Sequence, residues 1–170
     1  MKKVLVIFLA IIIGLSMSAQ IQNKILGFTL GTTSKTTVLN QYKTKITKAD
    51  YNAGETYRIQ DVSFAGQIWD LAYFVFVNNK LCTVSFQSTD DNIPTSILDL
   101  SWENLKKSLN KKYSQFYLSN RSTSEIKEYS DGTTYLTLSY EYFMYCMVLN
   151  ISYTNEYLLH QKVKAAEDDL

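Results

Sequence analysis

Histidine, proline and cysteine are scarce in this chain of 170 residues: one, one and two respectively. A single histidine, His160, leaves little for imidazole-based catalysis, which needs a nucleophile and an orienting group held around the ring on rigid structure. His160 falls in a weak C-terminal segment and reads as a surface residue. One histidine and two separated cysteines give no transition-metal cluster. No phosphate loop, dinucleotide-binding glycine pattern or nucleophile elbow occurs. The expectation is a protein that is not an enzyme and carries no cofactor and no metal. The scarcity of proline, with 46% hydrophobic residues, argues against disorder. A formal charge of +1 leaves no electrostatic footprint for nucleic acid. The longest apolar run, Val4 to Leu15, is shorter than the roughly 20 residues of a membrane span.

That run follows Lys2 and Lys3 and precedes the small residues Ser16, Ser18 and Ala19. This is the order of a secretory leader, with a two-lysine start that points to bacteria. Residues 1–19 are read as a signal peptide, cleaved between Ala19 and Gln20. Cleavage after Ser18, with Ser16 at the −3 position, is the rival, and an uncleaved anchor is the alternative. The expected location is periplasmic or secreted, with no stable membrane span after cleavage. Removing the leader brings the net charge to about −1.

Such a compartment permits a disulfide. Cys82, however, alternates in step with Val84 and Phe86, whereas Cys146 is out of step with the apolar set Tyr145, Met147, Leu149, Ile151 and Tyr153. In regular strands the two sulfurs point to different faces, so pairing is not expected.

The centre of the chain is Tyr57 to Ser88. Three runs rich in Val, Ile, Phe and Tyr are divided by the turn formers Ala65-Gly66-Gln67 and Asn78-Asn79-Lys80. This predicts an antiparallel meander. Before it, Ser34 is placed to cap a helix running to about Lys45, with Val38, Leu39, Tyr42 and Ile46 as its apolar stripe. Thr47 to Glu55 reads as a polar loop. After the meander, Pro94 suits a helix start. Leu98, Trp102, Leu105, Leu109 and Tyr113 then recur at spacings of three and four, which is one face of a five-turn helix. Glu125 to Tyr129 and Thr133 to Tyr142 flank Ser130-Asp131-Gly132, a hairpin signal. Another strand follows from Met144, and 156–170 is a weak helix or tail. The acids Glu167, Asp168 and Asp169 oppose the macrodipole at its end.

Three charged groupings carry little chemistry. Lys106-Lys107 with Lys111-Lys112 sit at helical spacing and read as a solvated face. Asp90-Asp91 are too few for a calcium loop. Asp61, Asp70 and Glu141 could serve a carboxylate-dependent hydrolase if two of them stood within about 10 Å.

The two halves of the chain match. Cys82 to Phe86 aligns with Leu149 to Tyr153, which sets Tyr73 against Tyr140 and Phe76 against Phe143. The expected fold class is therefore α+β: antiparallel meander sheets with helices packed on one face, in a tandem α-β-β-β repeat. One domain spans 20–170, with pseudo-repeats at about 27–89 and 95–155. The match fails where Asn78-Asn79-Lys80 meets Tyr145-Cys146-Met147. Either that apolar turn is buried, or the strand continues as one long bent ribbon.

The positive signal is tyrosine, 13 in number. Strand alternation cannot turn all of them inward, and a ring with a polar tip suits an interface. Tyr73, Tyr135, Tyr140, Tyr142 and Tyr145 are the candidate binding face. The expected function is a non-enzymatic binding module for an unknown protein or peptide partner. A carrier of a small hydrophobic ligand is the alternative, and a small hydrolase follows behind.

The segment GFTLGTTSKTTVLNQY, Gly27 to Tyr42, resembles the opening helix of small bacterial envelope proteins, in which a glycine turn leads through Thr or Ser and Lys into a Val-bearing helix. It is similar to the small lipoprotein of the outer-membrane assembly machinery and, in doubled form, to the β-lactamase inhibitor protein. The resemblance implies binding of other proteins through the sheet face and its loops. This chain lacks the anchoring cysteine and the additional early helix of the first family, and the domain disulfides of the second. No particular partner is therefore carried over.

Overall fold

The computed structural model describes residues 20–49, 55–91 and 93–168. The expected leader and most of the loop before the meander lie outside them. The described chain opens with a two-residue hairpin, β1 (Lys24–Ile25) and β2 (Phe28–Thr29). Its turn needs positive φ at Leu26 and Gly27. Helix α1 (Lys35–Gln41) follows, with the Ser34 hydroxyl accepting from the Thr37 amide at 3.2 Å. It stops sooner than the apolar stripe predicts. Its two threonines weaken it, and only Val38 is buried.

Thr47–Ala49 is not loop but a short strand, β3, paired with Thr56 to Arg58. The predicted meander is β4 (Glu55–Phe64), β5 (Gln67–Val77) and β6 (Lys80–Thr89). Helix α2 (Thr95–Tyr113) and one 3-10 turn (Ser114–Phe116) lead into β7 (Ile126–Ser130), β8 (Thr134–Phe143) and β9 (Cys146–Asn155). Helix α3 (Glu156–Asp168) closes the described chain. Seven strands form one sheet in the order β3-β4-β5-β6-β9-β8-β7, and every pairing is antiparallel. The fold is α+β.

One face of this sheet is the core. Phe74, Phe86, Leu136, Leu138, Leu149 and Ile151 point into it, and all five spaced residues of α2 are buried against it. Trp102 stacks on Tyr140 with ring centroids 6.0 Å apart. Burial of each such side chain contributes roughly 1.5–3 kcal/mol, which makes tertiary packing the main support of α2. Ile59 and Val62 are both buried, as are Trp69 and Ala72 across from them. Spacing of three breaks the period of two, so both strands shift phase at the level of Asp61 and Asp70. Asp61 takes φ 52° there.

The expectation of helices on a single face is corrected by α3. It shares a cavity with Tyr73, Val75, Ser85 and Gln87, which alternate with the core residues and so face the other way. The helix leaves β9 without a loop, and Asn155 Oδ1 accepts from the Leu158 amide at 3.0 Å to start it. Gly31 makes room for this junction: a Cβ there would stand 2.8 Å from Asn155 Nδ2, and its φ is 80°.

Cys82 and Cys146 are both free thiols. Cys82 Sγ lies against the Asn155 carbonyl at one end of β9, and Cys146 begins the other end. At about 3.3 Å per residue they are roughly 30 Å apart.

Candidate functional site

The sheet is uneven at one end. β7 pairs with β8 only as far as Ile126 with Ser139, and β6 pairs with β9 only as far as Thr89 with Val148. Beyond those rungs the ladder continues only between β8 and β9: Tyr142 with Met147 and Phe143 with Cys146. At about 3.3 Å per residue, those two rungs project roughly 7 Å past the neighbouring strands.

The projecting end reads Tyr142-Phe143-Met144-Tyr145. These side chains are 68%, 58%, 78% and 92% exposed. The turn is Met144-Tyr145, at φ 47° and 74°. It is neither a buried turn nor a continuous ribbon, which corrects both readings of this stretch. Two left-handed central residues are the mark of the tight hairpin turn that favours Asn-Gly. The β5–β6 hairpin complies with Asn78-Asn79, and the β4–β5 hairpin complies at Gly66 but holds Ala65 at φ 52°. Only Asn, Asp and Gly reach this region without much strain. Met and Tyr in these positions are a local cost on a fully exposed surface.

The base of the hairpin is pinned. Asp90 Oδ1 accepts from the Met147 amide at 2.8 Å, and the Asp90 amide donates to the Met147 carbonyl at 3.2 Å. The Cys146 thiol donates to the Phe143 carbonyl at 3.2 Å. Burial, then Asp91 and Asp90, push that thiol above its ordinary value. The tip thus presents aromatic and thioether surface on a fixed support, with acids behind it.

The five tyrosines do not form one face. Tyr142 and Tyr145 stand at the tip. Tyr140 belongs to the core: it is 9% exposed, lies under Trp102, and its hydroxyl donates to Asp99 at 2.7 Å. Burial and the Asp99 carboxylate push it up to about 12. Tyr73 lies on the outer face in a cavity of ~240 Å³ beside Lys162 of α3. Tyr135 lies on the same face in a cavity of ~480 Å³ with Arg121, Glu156 and His160. Helix α3 lines both cavities, so the outer face is partly roofed. In the second cavity the Ser130 hydroxyl donates to Glu156, which commits that proton to a carboxylate and not to His160. Asp61 and Asp70 line one depression, where Asp70 Oδ2 accepts from the Thr89 amide at 2.9 Å; Glu141 is not among its walls.

A groove runs between α2 and the β4–β5 turn. Two open depressions, ~270 and ~390 Å³, lie side by side and share Ala65, Leu105 and Ser108. Ile97 and Leu100 form its rim, and Phe64, Leu109 and Ile151 its floor. Spacing marks Leu105 and Leu109 for burial, but the exposed Ile97 and Leu100 lie off that stripe and were not singled out.

These features define an α+β antiparallel-sheet protein with a protruding aromatic hairpin and an apolar groove. No protein-family model, no curated protein and no solved structure matches the chain. Among the described residues no helix is long and apolar enough to cross a membrane, and no three His, Cys, Asp or Glu side chains are grouped to hold a metal ion.

Proposed function

We propose that this chain is an exported, non-enzymatic protein-binding module whose anchor is the β8–β9 tip. The observation that carries this reading is the turn itself. Four consecutive exposed apolar residues include two non-glycine residues held at positive φ, on a hairpin pinned at its base. A rigid, two-sided aromatic tip loses little conformational freedom on docking, which favours affinity. Buried aromatic anchors are the usual centres of interface energy. The tip replaces the tyrosine face as the binding surface, with Tyr142 and Tyr145 retained and Phe143 and Met144 added.

The test is site-specific photo-crosslinking from position 145 in cells exporting the protein. A discrete protein adduct that disappears with Phe143→Ser supports the reading. Adducts that are absent, or unchanged by that substitution, refute it.

The tandem α-β-β-β layout belongs to this proposal. Its support is the order of elements, with α1 before β4-β5-β6, α2 before β7-β8-β9, and β6 meeting β9 antiparallel at the centre. Shortening the offset by one residue sets Asn78-Asn79 on Met144-Tyr145 and the buried Phe74 on the buried Tyr140. Kinship with the envelope inhibitor and assembly proteins follows the same reading, as does a periplasmic or secreted location. A carrier of a small hydrophobic ligand is the second reading, favoured by the α2 groove. Displacement of an environment-sensitive naphthylamine dye by fatty acids would test it.

A further inference from the structure

We infer that the partner of the tip is a second copy of this chain, with the tip of each copy seated in the α2 groove of the other. The inference rests on the reading of the tip as a binding anchor. Among the described residues the tip is the one run of four exposed large apolar side chains, and Ile97 and Leu100 on the groove rim are 52% and 62% exposed. One feature is convex and the other concave, so each is shaped to take the other out of water.

Charge makes the match specific. The tip and its base, residues 138–148 with 88–91, contain no lysine or arginine and carry Asp90, Asp91 and Glu141. The nearest lysine on β7, Lys127, turns its ammonium back to the Thr123 carbonyl. The groove is basic at one end. Its rim half, Ile97 to Leu105, carries no lysine or arginine, but Lys112 lines the other half, and Lys107 and Lys111 are exposed on the same helix. Acids behind the tip therefore repel a second tip and are drawn to the groove edge, which fixes orientation and partner.

Position favours reciprocity. Tyr140 of the hairpin strand meets Asp99 and Trp102 on one side of α2, while Ile97 and Leu100 face the groove. Tip and groove thus flank the same helix end. A twofold axis between them lets both tips dock at once, and such a closed contact stops at a dimer. Each aromatic ring buries about 150–250 Å². Two tips and the groove surface they cover reach on the order of 1,200 Å², the lower bound of a specific interface.

Sedimentation equilibrium of the purified protein up to about 200 µM tests this. A monomer–dimer equilibrium with a micromolar Kd is expected. Phe143→Ser and Leu100→Asp should each weaken it about tenfold or more. Asp91→Lys and Lys112→Glu should each weaken it, and the double substitution should restore it towards the wild-type value. Circular dichroism checks that each variant is folded. A protein that stays monomeric at the highest concentration overturns self-docking. So does a dimer indifferent to Phe143→Ser and Leu100→Asp, because its interface lies elsewhere. A monomer that nevertheless crosslinks to a foreign protein from position 145 overturns the second copy as partner and leaves the binding anchor standing.

Discussion

Replacing Met144-Tyr145 by Asn-Gly should make the protein more stable. The two native residues hold φ 47° and 74° with 78% and 92% of their surfaces exposed. The left-handed region costs a side-chain-bearing residue roughly 1–2 kcal/mol. Asn tolerates it and Gly removes the clash altogether. Set against this is the extra freedom glycine brings to the unfolded chain, about 0.5–1 kcal/mol. The lost contacts are few, because the side chains touch little. The net gain is about 1–2 kcal/mol, or roughly 3–6 °C in Tm for a domain of this size. Urea unfolding should be followed in dilute solution, so that association adds nothing to the folded state. Moving Met-Tyr into positions 78 and 79, which hold φ 49° and 60°, is the reciprocal control and should destabilise by a similar amount. A Met144→Asn/Tyr145→Gly protein no more stable than the wild type would refute the strain argument. The same variant should lose dimerisation, which separates the stability of the turn from its use.

Asp90→Ala removes the carboxylate that accepts from the Met147 amide at 2.8 Å. It should cost about 1 kcal/mol and speed hydrogen exchange at that amide, whereas unchanged exchange would show the hairpin base is held otherwise. Tyr129, Tyr135 and Tyr140 are all pushed up to about 12, chiefly by burial. The folded state therefore keeps protons that the unfolded chain loses near pH 10. Their contribution to stability is complete below about pH 10 and declines as pH rises towards 12, so the unfolding midpoint should fall across that window. Full tyrosinate absorbance at pH 11 with the fold intact would contradict it. Without reductant, the unfolded protein should release two thiols to Ellman's reagent and the native protein at most one, since Cys82 is 1% exposed. A protein that releases none would contain the excluded disulfide. Trp102→Ala should cost about 3–5 kcal/mol by calorimetry, because the indole roofs Tyr140 and half the sheet.

Where one face of an element is dry, the sequence was legible. Leu98, Trp102, Leu105, Leu109 and Tyr113 announce α2, and alternation with Ala-Gly and Asn-Asn turns announces β4 to β6. The helix cap at Ser34 was also plain, since capping is local chemistry. Failures came where a single residue changes the phase. The two tight turns, Asn78-Asn79 and Met144-Tyr145, coincide at an offset one residue shorter than the one that matches Cys82 with Leu149, and one residue is enough to exchange the faces of a strand. Matching Tyr73 to Tyr140 across that offset put an outer-face ring and a core ring on one supposed surface. The position of α3 had no signal in period or propensity. It depends on the direction in which β9 ends, which is a property of the assembled sheet.

The tip was visible as an anomaly before it was visible as a structure. An apolar turn violates the rule that turns are built from Gly, Asn and Asp, and sequence reasoning tried to remove the violation by burying the turn or straightening it. Neither repair was needed. The sheet supplies enough pairing below Tyr142, and Asp90 enough anchorage at Met147, to hold two unsuitable residues in left-handed geometry. Places where local preference and global fold disagree are where function is best sought, because foldability alone would favour agreement. If the stability cost at Met144-Tyr145 served packing, those side chains would be covered within the chain. Their exposure leaves that cost without an offset inside the chain, and the proposed docking into the groove beside α2 would cover them.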